Sequence, residues 1–413
     1  MKQNTTYKQT ELGLIPEDWE VKKLGKVGEI DKKSLNSNTD KEYEFDYISL
    51  SDVDSDQFSI KTSKQKFKNA PSRARRIVKK GDVLLSTVRP NLEGFTIIRD
   101  EVKDLIASTG FAVITSKNEL HNEYLFNFLF SNIIKRQFHK LLVGSNYPAI
   151  NSSDVKNLKI PLPPLLEQKK IADCLSTWDC AIEKQSQLIN ALTQRKKALM
   201  QQLLTGKKRL PGFSGEWKEV KLGDLFEKIN RKNEEGNTNV VTISAQRGFV
   251  KQTDFFNKSV ASETLDNYSL IYHGEFCYNK SYSNGYPLGA TKRLIAFEKA
   301  VVTTLYICFK IKDQKKSNGS FFEQFFEANS LDRSLIKIAQ EGGRAHGLLN
   351  VSLSDFFNIK IKLPPIEEQT AIAEILAAAD RELQLQKEKL AQLQAQKKGL
   401  MQVLLTGKKR LLN

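Results

Sequence analysis

Several polar stretches of this sequence carry side chains that could bind nucleic acid. Five of the eight residues from 73 to 80 are cationic, a density that could place them against consecutive phosphates of a DNA backbone. These cations are Arg73, Arg75, Arg76, Lys79 and Lys80. A run of charge is more often a solvated face, so the sequence leaves both interpretations open.

Other stretches carry residue types that read base edges. Arg89-Pro-Asn91 offers side chains that form bidentate hydrogen bonds with guanine or adenine in the major groove. A polar and aromatic stretch further along supplies Lys280, Tyr282, Asn284, Tyr286, Lys292 and Arg293. Two short segments that begin at Gly144 and Gly343 supply Ser145, Asn146, Tyr147, Arg344 and His346. We predict DNA-binding residues in each of these places.

Residue patterns typical of catalysis do not accompany these stretches. The phosphate-binding pattern GxxxxGK[ST] does not occur, nor does the Asn/Asp-Pro-Pro-aromatic tetrapeptide of an amino-methyltransferase. The four histidines (His121, His139, His273 and His346) lack the spacing of zinc ligands. We therefore expect no catalytic residue, metal site or cofactor in this chain.

Composition limits the classes of protein to which the chain could belong. Its 413 residues predict two or three domains, and 64 basic against 48 acidic residues give a formal charge of +16, which favours a polyanionic partner. The four cysteines form no CxxC pair, and the sequence contains no run of about 18 apolar residues. We expect a soluble protein of a reducing compartment, the cytoplasm.

The elements that position the polar stretches come from an internal repeat. Residues 160–210 align with residues 361–411 without a gap, at an offset of 201, with 25 identities in 51 positions. A second match precedes each copy, because Trp19-Glu-Val-Lys-Lys-Leu-Gly25 corresponds to Trp217-Lys-Glu-Val-Lys-Leu-Gly223. The chain is therefore one unit of about 200 residues present twice.

Each copy of the repeat predicts one long helix. A proline pair (163–164 and 364–365) precedes each helix, and a glycine followed by Lys-Lys-Arg, Gly206 or Gly407, ends it. The proline-free interval of about 40 residues corresponds to roughly 60 Å of helix.

A seven-residue spacing of apolar residues predicts that the two helices pair as a coiled coil. The first stripe comprises Ile171, Leu175, Trp178, Ile182, Gln185, Ile189, Leu192, Lys196, Leu199 and Leu203, and the second comprises Ile372, Leu376, Ala379, Leu383, Gln386, Leu390, Leu393, Lys397, Leu400 and Leu404. Glutamine and lysine interrupt both stripes at equivalent positions. They either fix the register of the pair, or the lysines extend to water and the glutamines face solvent.

Two related units joined head to tail most simply pack about a pseudo-twofold axis, which predicts antiparallel helices with a globular part at each end. The fold class is α+β. The predicted segments are residues 1–160 and 211–361 for the globular domains, and residues 161–210 and 362–413 for the long helices.

The globular parts share an order of short strands but differ in their loops. We predict strands at Val83–Leu85, Phe95–Ile98 and Phe111–Ile114, and at Val240–Ile243, Phe276–Tyr278 and Leu305–Phe309. A helix follows in each, from Asn122 to about Leu142 and from Phe321 to about Ala339. Gly81-Asp82 matches Gly274-Glu275, yet STVRPNLEG follows the first pair and NKSYSNGYPLG follows the second. A repeated scaffold with different loops predicts two different recognition surfaces.

These motifs resemble the specificity subunit of type I restriction-modification systems. The resemblance rests on the duplicated L-P-P-x-x-E-Q opening, the L-L-T-G-K-K-R-L closing, the W-x-x-x-x-L-G start of each half and G-D-V-L-L-S-x-x-R-P in the first domain. It implies that each globular part is a target recognition domain for one half of a bipartite, asymmetric double-stranded DNA site, and that the helices form a spacer.

The resemblance also implies partners. Two methyltransferase subunits that methylate adenine would dock on the helices, and restriction subunits would join them to translocate and cleave DNA. S-adenosylmethionine, ATP and Mg²⁺ would be cofactors of those partners, and this chain would be non-catalytic.

Three other interpretations compete with this one. A stand-alone bipartite DNA-binding regulator or decoy would bind its site without a methyltransferase. A coiled-coil scaffold for proteins would show no salt-dependent DNA affinity. A fused enzyme is disfavoured by the missing catalytic motifs.

Overall fold

The computed structural model describes residues 6–54, 59–142, 148–256, 264–341 and 349–411. The chain forms two compact units. The first unit comprises Met1–Gln187 and Glu388–Asn413, and the second comprises Leu188–Lys387. Each unit therefore holds one globular part together with a portion of both long helices.

The two long helices lie within the predicted segments and have equal lengths. They run from Leu165 to Leu203 and from Ile366 to Leu404, 39 residues each. Gly206 and Gly407 follow them with φ of 69° and 70°, a left-handed conformation that glycine adopts without a steric penalty. The N–H of Lys208 donates to the carbonyl of Gln202, and the N–H of Lys409 donates to that of Val403, which closes each helix with the same turn.

The helices pair in antiparallel orientation within each unit. In the first unit, Glu167 binds Arg410 while Asp179, further along the same helix, binds Lys397. In the second unit, Glu368 binds Arg209 and Asp380 binds Lys196. The residues of both predicted stripes are buried or half-buried throughout. The predicted antiparallel coiled coil is confirmed.

The polar residues of the stripes lie inside the pairing. Lys397 forms an ion pair with Asp179, and the side chain of Gln185 is 6% exposed. The alternative, in which the lysines extend to water and the glutamines face solvent, is therefore wrong for these two residues.

The first globular part contains two four-stranded sheets. One is antiparallel, in the order Phe95–Ile97, Val83–Ser86, Phe111–Ser116 and Gly28–Ile30. The other has the order Ser63–Lys66, Glu44–Ile48, Leu105–Ser108 and Ala74–Val78, and its two central strands are parallel. The remaining strands are Tyr7–Thr10, Gly13–Pro16, Glu20–Lys23, Val53–Asp54, Ser59–Ile60 and Lys159–Leu162, and the short helices are Leu24–Val27, Leu50–Asp52, Phe67–Asn69, Pro90–Leu92, Asn122–Phe128, Asn132–Leu142 and Ser152–Asn157.

The second globular part repeats the first of these sheets. Its antiparallel order is Ala290–Arg293, Phe276–Asn279, Ile307–Ile311 and Phe226–Lys228, which corresponds strand for strand to the first unit. The remaining strands are Lys218–Lys221, Val241–Ser244, Gly248–Lys251, Ser269–Tyr272, Lys299–Val302, Gln340–Glu341, Leu349–Asn350 and Lys360–Leu363, and the short helices are Leu222–Leu225, Gln252–Phe256, Gly319–Glu327, Asp332–Ile338 and Leu353–Asn358.

The single helix predicted in each globular part is wrong, because two helices occupy each place. The first pair meets at Ser131, whose hydroxyl accepts the N–H of Ile134 at 3.3 Å and so begins a new helix. The second pair is separated at Asn329, which has a left-handed φ of 54°. Both residue types are typical of helix ends.

The main core of each unit combines residues from both repeats. Trp19, Phe126 and Ile171 pack in one cluster with Met401 and Leu404 of the second long helix. In the second unit, phenylalanines 226, 276, 309, 321 and 326 pack with the end of the first long helix at Leu203. Each globular part thus closes its core with the final turns of the helix that follows the other globular part.

Candidate nucleic-acid interface

The same tight turn precedes the candidate loops in both units. Gly81 and Gly274 both have φ of 87°, and their N–H groups donate to the carbonyls of Ile98 and Leu294 at 2.7 Å. A buried carboxylate follows each glycine. Asp82 accepts the N–H of Lys79 at 2.9 Å, and Glu275 accepts that of Tyr272 at 2.7 Å. The turn fixes where the next strand begins, so the loop after that strand leaves the two sheets at equivalent places.

The loop of the first unit presents its polar side chains at the surface. Arg89 and Glu93 have φ of 48° and 58°, and the short helix Pro90–Leu92 lies between them. The N–H of Arg89 donates to the carbonyl of Pro148 at 2.8 Å. Arg89 and Asn91 are exposed, and Leu92 is 65% exposed. The loop therefore projects an arginine and an asparagine, two residue types that can form bidentate hydrogen bonds with bases, from a constrained backbone.

The five clustered cations are divided between two roles. Arg76 donates to Asp31 at 3.0 Å and to Ser34 at 3.3 Å, and Lys80 pairs with Glu101 at 3.1 Å. Arg75 donates to the carbonyl of Ala74 at 2.8 Å and lies over the ring of Phe67. Arg73 and Lys79 are exposed. Arg73 and Lys79 are thus the exposed cations of this cluster that pair with no carboxylate among the described residues.

In the polar and aromatic stretch of the second unit, too, some side chains bind groups of this chain. Lys292 pairs with Glu327, and the hydroxyl of Tyr286 donates to the same carboxylate at 2.5 Å. Burial and the nearby carboxylate raise the pKa of Tyr286, so its hydroxyl remains protonated at neutral pH. Arg293 donates to the carbonyl of Gly274 and to the hydroxyl of Ser320, both at 3.3 Å.

Two other residues of this stretch face solvent. Tyr282 is 65% exposed and Asn284 is exposed, whereas Lys280 is half-buried. Lys292, Tyr286 and Arg293 hold the stretch against the sheet and helix behind it, which leaves Tyr282 and Asn284 as its outward side chains.

The remaining predicted DNA contacts lie outside the described residues. They are Ser145, Asn146, Tyr147, Arg344 and His346.

A repeated cluster around a buried glutamate was not predicted from the sequence. The indole N–H of Trp19 donates to Glu167 at 3.1 Å, and the guanidinium of Arg410 donates to both oxygens of Glu167 at 2.7 and 2.8 Å. Trp217, Glu368 and Arg209 repeat this arrangement in the second unit. The sequence has this tryptophan, glutamate and arginine at equivalent positions of both copies, but only the fold shows that the three side chains meet.

A repeated glutamine joins each long helix to its globular part. Gln168 donates to the carbonyls of Glu119 and Pro163, both at 2.9 Å, and accepts the N–H of His121 at 2.8 Å. Gln369 makes the same three kinds of contact in the second unit, with the carbonyls of Lys316 and Pro364 and the N–H of Asn318. The buried Glu-Gln pair therefore fixes the direction in which each helix leaves its globular part.

Two other kinds of feature are absent from the described residues. Within the part of the chain that the structure describes, no three His, Cys, Asp or Glu residues form a possible metal site. Of the helices described, none is long and apolar enough to cross a membrane.

Comparison with known proteins gives consistent matches over both repeats. Residues 16–194 and 214–395 match the family described as type I restriction modification DNA specificity domain. The chain is 27% identical over 433 residues to the putative type I restriction enzyme MjaX specificity subunit of Methanocaldococcus jannaschii, covering 97% of this chain and 96% of that protein. It is 28% identical to the MjaVIII specificity subunit of the same organism, covering 97% and 95%.

Solved structures with similar folds include two that cover nearly the whole chain. A chain from a structure of type I R-M complex assembly and conformational transition has a TM-score of 0.63 at 21% identity, covering 96% of this chain and 99% of that one. The HsdS subunit from Thermoanaerobacter tengcongensis has a TM-score of 0.51 at 22% identity, covering 96% and 98%.

Proposed function

The chain belongs to the type I restriction-modification DNA specificity family, and we propose that each of its globular parts reads one half of a bipartite, asymmetric DNA site. One observation carries this proposal. The two units contain the same four-stranded sheet and the same glycine turn, but they present Arg89 and Asn91 in one case and Tyr282 and Asn284 in the other. Different loops on equivalent scaffolds suit two different half-sites.

Within each loop we assign separate roles. Arg89, Asn91, Tyr282 and Asn284 read base edges, and Arg73 and Lys79 contact phosphates. Arg75, Arg76, Lys292 and Arg293 act as positioning residues, because their donors already bind groups of this chain. The net charge of +16 supports the salt-dependent, sequence-independent part of the affinity.

We assign the long helices to spacing and assembly. The antiparallel pair would set the length of DNA between the half-sites and dock two methyltransferase subunits, which methylate adenine. Restriction subunits would join them to translocate and cleave DNA. The chain itself would be non-catalytic, and S-adenosylmethionine, ATP and Mg²⁺ would bind to its partners.

A genome-wide methylation map tests this function. The map would compare a host that carries this gene and an active methyltransferase partner with a matched deletion of the gene. We expect a split, asymmetric adenine-methylated motif that disappears with the deletion. An unchanged map would contradict the specificity role and favour a stand-alone DNA-binding regulator or decoy.

A further inference from the structure

The residues that are identical in the two repeats fall into two groups, which differ in burial and in their contacts. Most of the 25 identical pairs are buried or bind a group of this chain, as the Glu-Gln pair and the Asp–Lys pairs do. Other identical side chains, near the end of each helix, are exposed, except that Gln402 and Thr406 are half-buried. In the first helix these are Lys197, Gln201, Thr205, Lys207 and Lys208, and in the second they are Lys398, Gln402, Thr406, Lys408 and Lys409.

These residues form one helical face followed by a basic end. Lys197 and Gln201 are exposed and four residues apart, so they lie on the same side of the first helix, and Thr205 is exposed in the turn that follows the helix. In the second helix Lys398 and Lys408 are exposed, and Gln402 is half-buried. The threonine hydroxyls bind carbonyls of their own helices, those of Gln201 and Gln402. Packing within the chain does not require identity at the exposed lysines, so a common external contact would explain why these lysines are identical.

The same residues line a groove in each unit. In the first unit, Gln402, Thr406 and Lys408 line a groove of about 1220 Å³, which we call the first groove. In the second unit, Gln201, Thr205 and Lys207 line a groove of about 700 Å³, the second groove. The second of the paired short helices, Asn132–Leu142 or Asp332–Ile338, also contributes lining residues in each case.

Both grooves combine apolar lining residues with basic ones. The apolar lining includes Leu129, Ile133 and Phe138 in the first groove and Met200, Leu204 and Phe325 in the second. The basic lining includes Arg136, His139 and Lys140 in the first and Arg333, Lys360 and Lys362 in the second.

Carboxylates contribute little to either groove. The described lining of the first groove has one, Glu93, which is paired with Lys135, and the described lining of the second has none. An occupant that complements these grooves is therefore apolar on one side and acidic at its edges.

We propose that each groove binds the same acidic, amphipathic segment of a protein that is present twice in the complex. On the proposed function, on which this inference rests, that protein is the methyltransferase subunit. A helix with an apolar face fits an apolar groove, and acidic residues at its edges would meet the lysines that both copies share. DNA is the less suitable occupant, because a phosphate backbone gains nothing from an apolar floor.

Charge reversal in one groove at a time tests the proposal in the full-length chain. The first-groove variant is Gln402→Glu with Lys408→Glu, and the second-groove variant is Gln201→Glu with Lys207→Glu. Matched controls carry the same charge change at exposed positions outside the grooves. They are Gln392→Glu with Lys389→Glu and Gln194→Glu with Lys184→Glu.

The readout is the number of purified methyltransferase subunits bound per chain, measured by native mass spectrometry, with affinity from titration. We expect two for the original chain and the controls. Each single-groove variant should keep one site unchanged and bind at the other about tenfold more weakly or worse. The variant with both grooves reversed should lose both. Equal thermal unfolding midpoints for variants and controls would exclude misfolding as the cause.

Three results would overturn the proposal, and each has a different meaning. Unchanged binding of two subunits by the variant with both grooves reversed would show that the grooves are not docking sites. Normal subunit binding with reduced salt-dependent DNA affinity would assign the grooves to DNA. Failure of the original chain to bind any methyltransferase subunit would contradict the proposed function itself, and this inference with it.

Discussion

Lys397 and Asp179 form an ion pair between the two long helices of the first unit, and only 9% and 15% of their side chains are exposed. Lys196 and Asp380 repeat this pair in the second unit. Each helix contributes one acid and one base at equivalent repeat positions, so both pairs form together only in the antiparallel orientation and in one register. They explain why lysine interrupts an otherwise apolar stripe at the same place in each copy.

Replacing Lys397 alone should destabilise the first unit. In a Lys397→Met variant Asp179 stays largely buried without its cation, which costs about 3–5 kcal/mol of unfolding free energy. Urea denaturation would measure this loss. The double variant Asp179→Leu with Lys397→Met should regain most of it, and Lys398→Met, at the exposed neighbouring position, should change little. A loss of equal size in the single and double variants would contradict the assignment.

Acid should partly rescue the Lys397→Met variant. Burial raises the pKa of Asp179 above the ordinary value of 3.8 and outweighs the lowering by Lys397, so removal of the lysine raises this pKa further. The folded state then binds a proton more tightly than the unfolded state. The unfolding free energy should therefore rise as pH falls from neutral through the raised pKa, until the unfolded chain is protonated near 3.8.

The comparison variant for this pH effect is Asp179→Asn with Lys397→Met, which has no carboxyl group at position 179. Urea unfolding at several pH values would compare the two variants. Parallel pH profiles would contradict the prediction.

Replacing Arg410 should destabilise the first unit, because the buried Glu167 binds this arginine, which is distant in the sequence. In an Arg410→Met variant Glu167, whose side chain is 3% exposed, keeps the indole N–H of Trp19 but loses two charged hydrogen bonds. We expect a loss of about 3–5 kcal/mol in unfolding free energy. Adding Glu167→Gln should recover part of it, because a neutral amide can still accept the indole N–H. Chemical denaturation of the single and double variants would decide this.

Loop variants should change one half of the recognised site at a time. Arg89→Ala should lose about 1–3 kcal/mol of discrimination at one base pair of one half-site and leave the other half unchanged. Tyr282→Ala should affect only the opposite half. Arg73→Ala should instead weaken binding to all sequences and reduce the salt slope by about 1. Methylation mapping and salt titrations would measure these effects, and a change in both half-sites from one loop variant would contradict them.

Insertion into both helices should lengthen the DNA spacer. Equivalent facing positions lie after Gln187 and after Glu388, since Asp179 pairs with Lys397 and Lys196 with Asp380. Four residues in each helix add roughly 6 Å, or about two base pairs at 3.4 Å each. The methylated motif of the variant would show the new spacer. An unchanged spacer would mean that partner subunits, and not the helices, set the distance.

The repeat made the long helices predictable to within a few residues. Proline, glycine and the apolar stripe are local signals, and two copies of them confirmed each other. Three strands of the shared sheet in the first unit and two in the second were also located, because each is a short apolar run bounded by turn residues. The strands Gly28–Ile30, Ala290–Arg293 and Phe226–Lys228 were not predicted, and the strand predicted at Val240–Ile243 belongs to a separate two-stranded sheet.

Residues that depend on distant partners could not be assigned from the sequence. Arg76 and Asp31 are 45 positions apart and Lys292 and Glu327 are 35 apart, and no local pattern indicates that they meet. A cationic residue therefore looks the same in the sequence whether it binds a carboxylate of its own chain or is exposed like Arg73. The pairing of strands decides between these roles, and strand pairing follows from the whole fold.

The first unit consists of two segments that lie far apart in the sequence, so it cannot be completed until the second segment has been synthesised. Its core includes Met401 and Leu404, and Arg410 binds Glu167 and Asp18. The 200 residues of Leu188–Lys387 lie between its two parts and need about 10–40 s of synthesis at 5–20 residues per second. The second unit is continuous, and all its core residues are synthesised before Met401, whereas Glu167 has no cation to bind until Arg410 is synthesised. The half that is translated first is thus completed after the half that follows it.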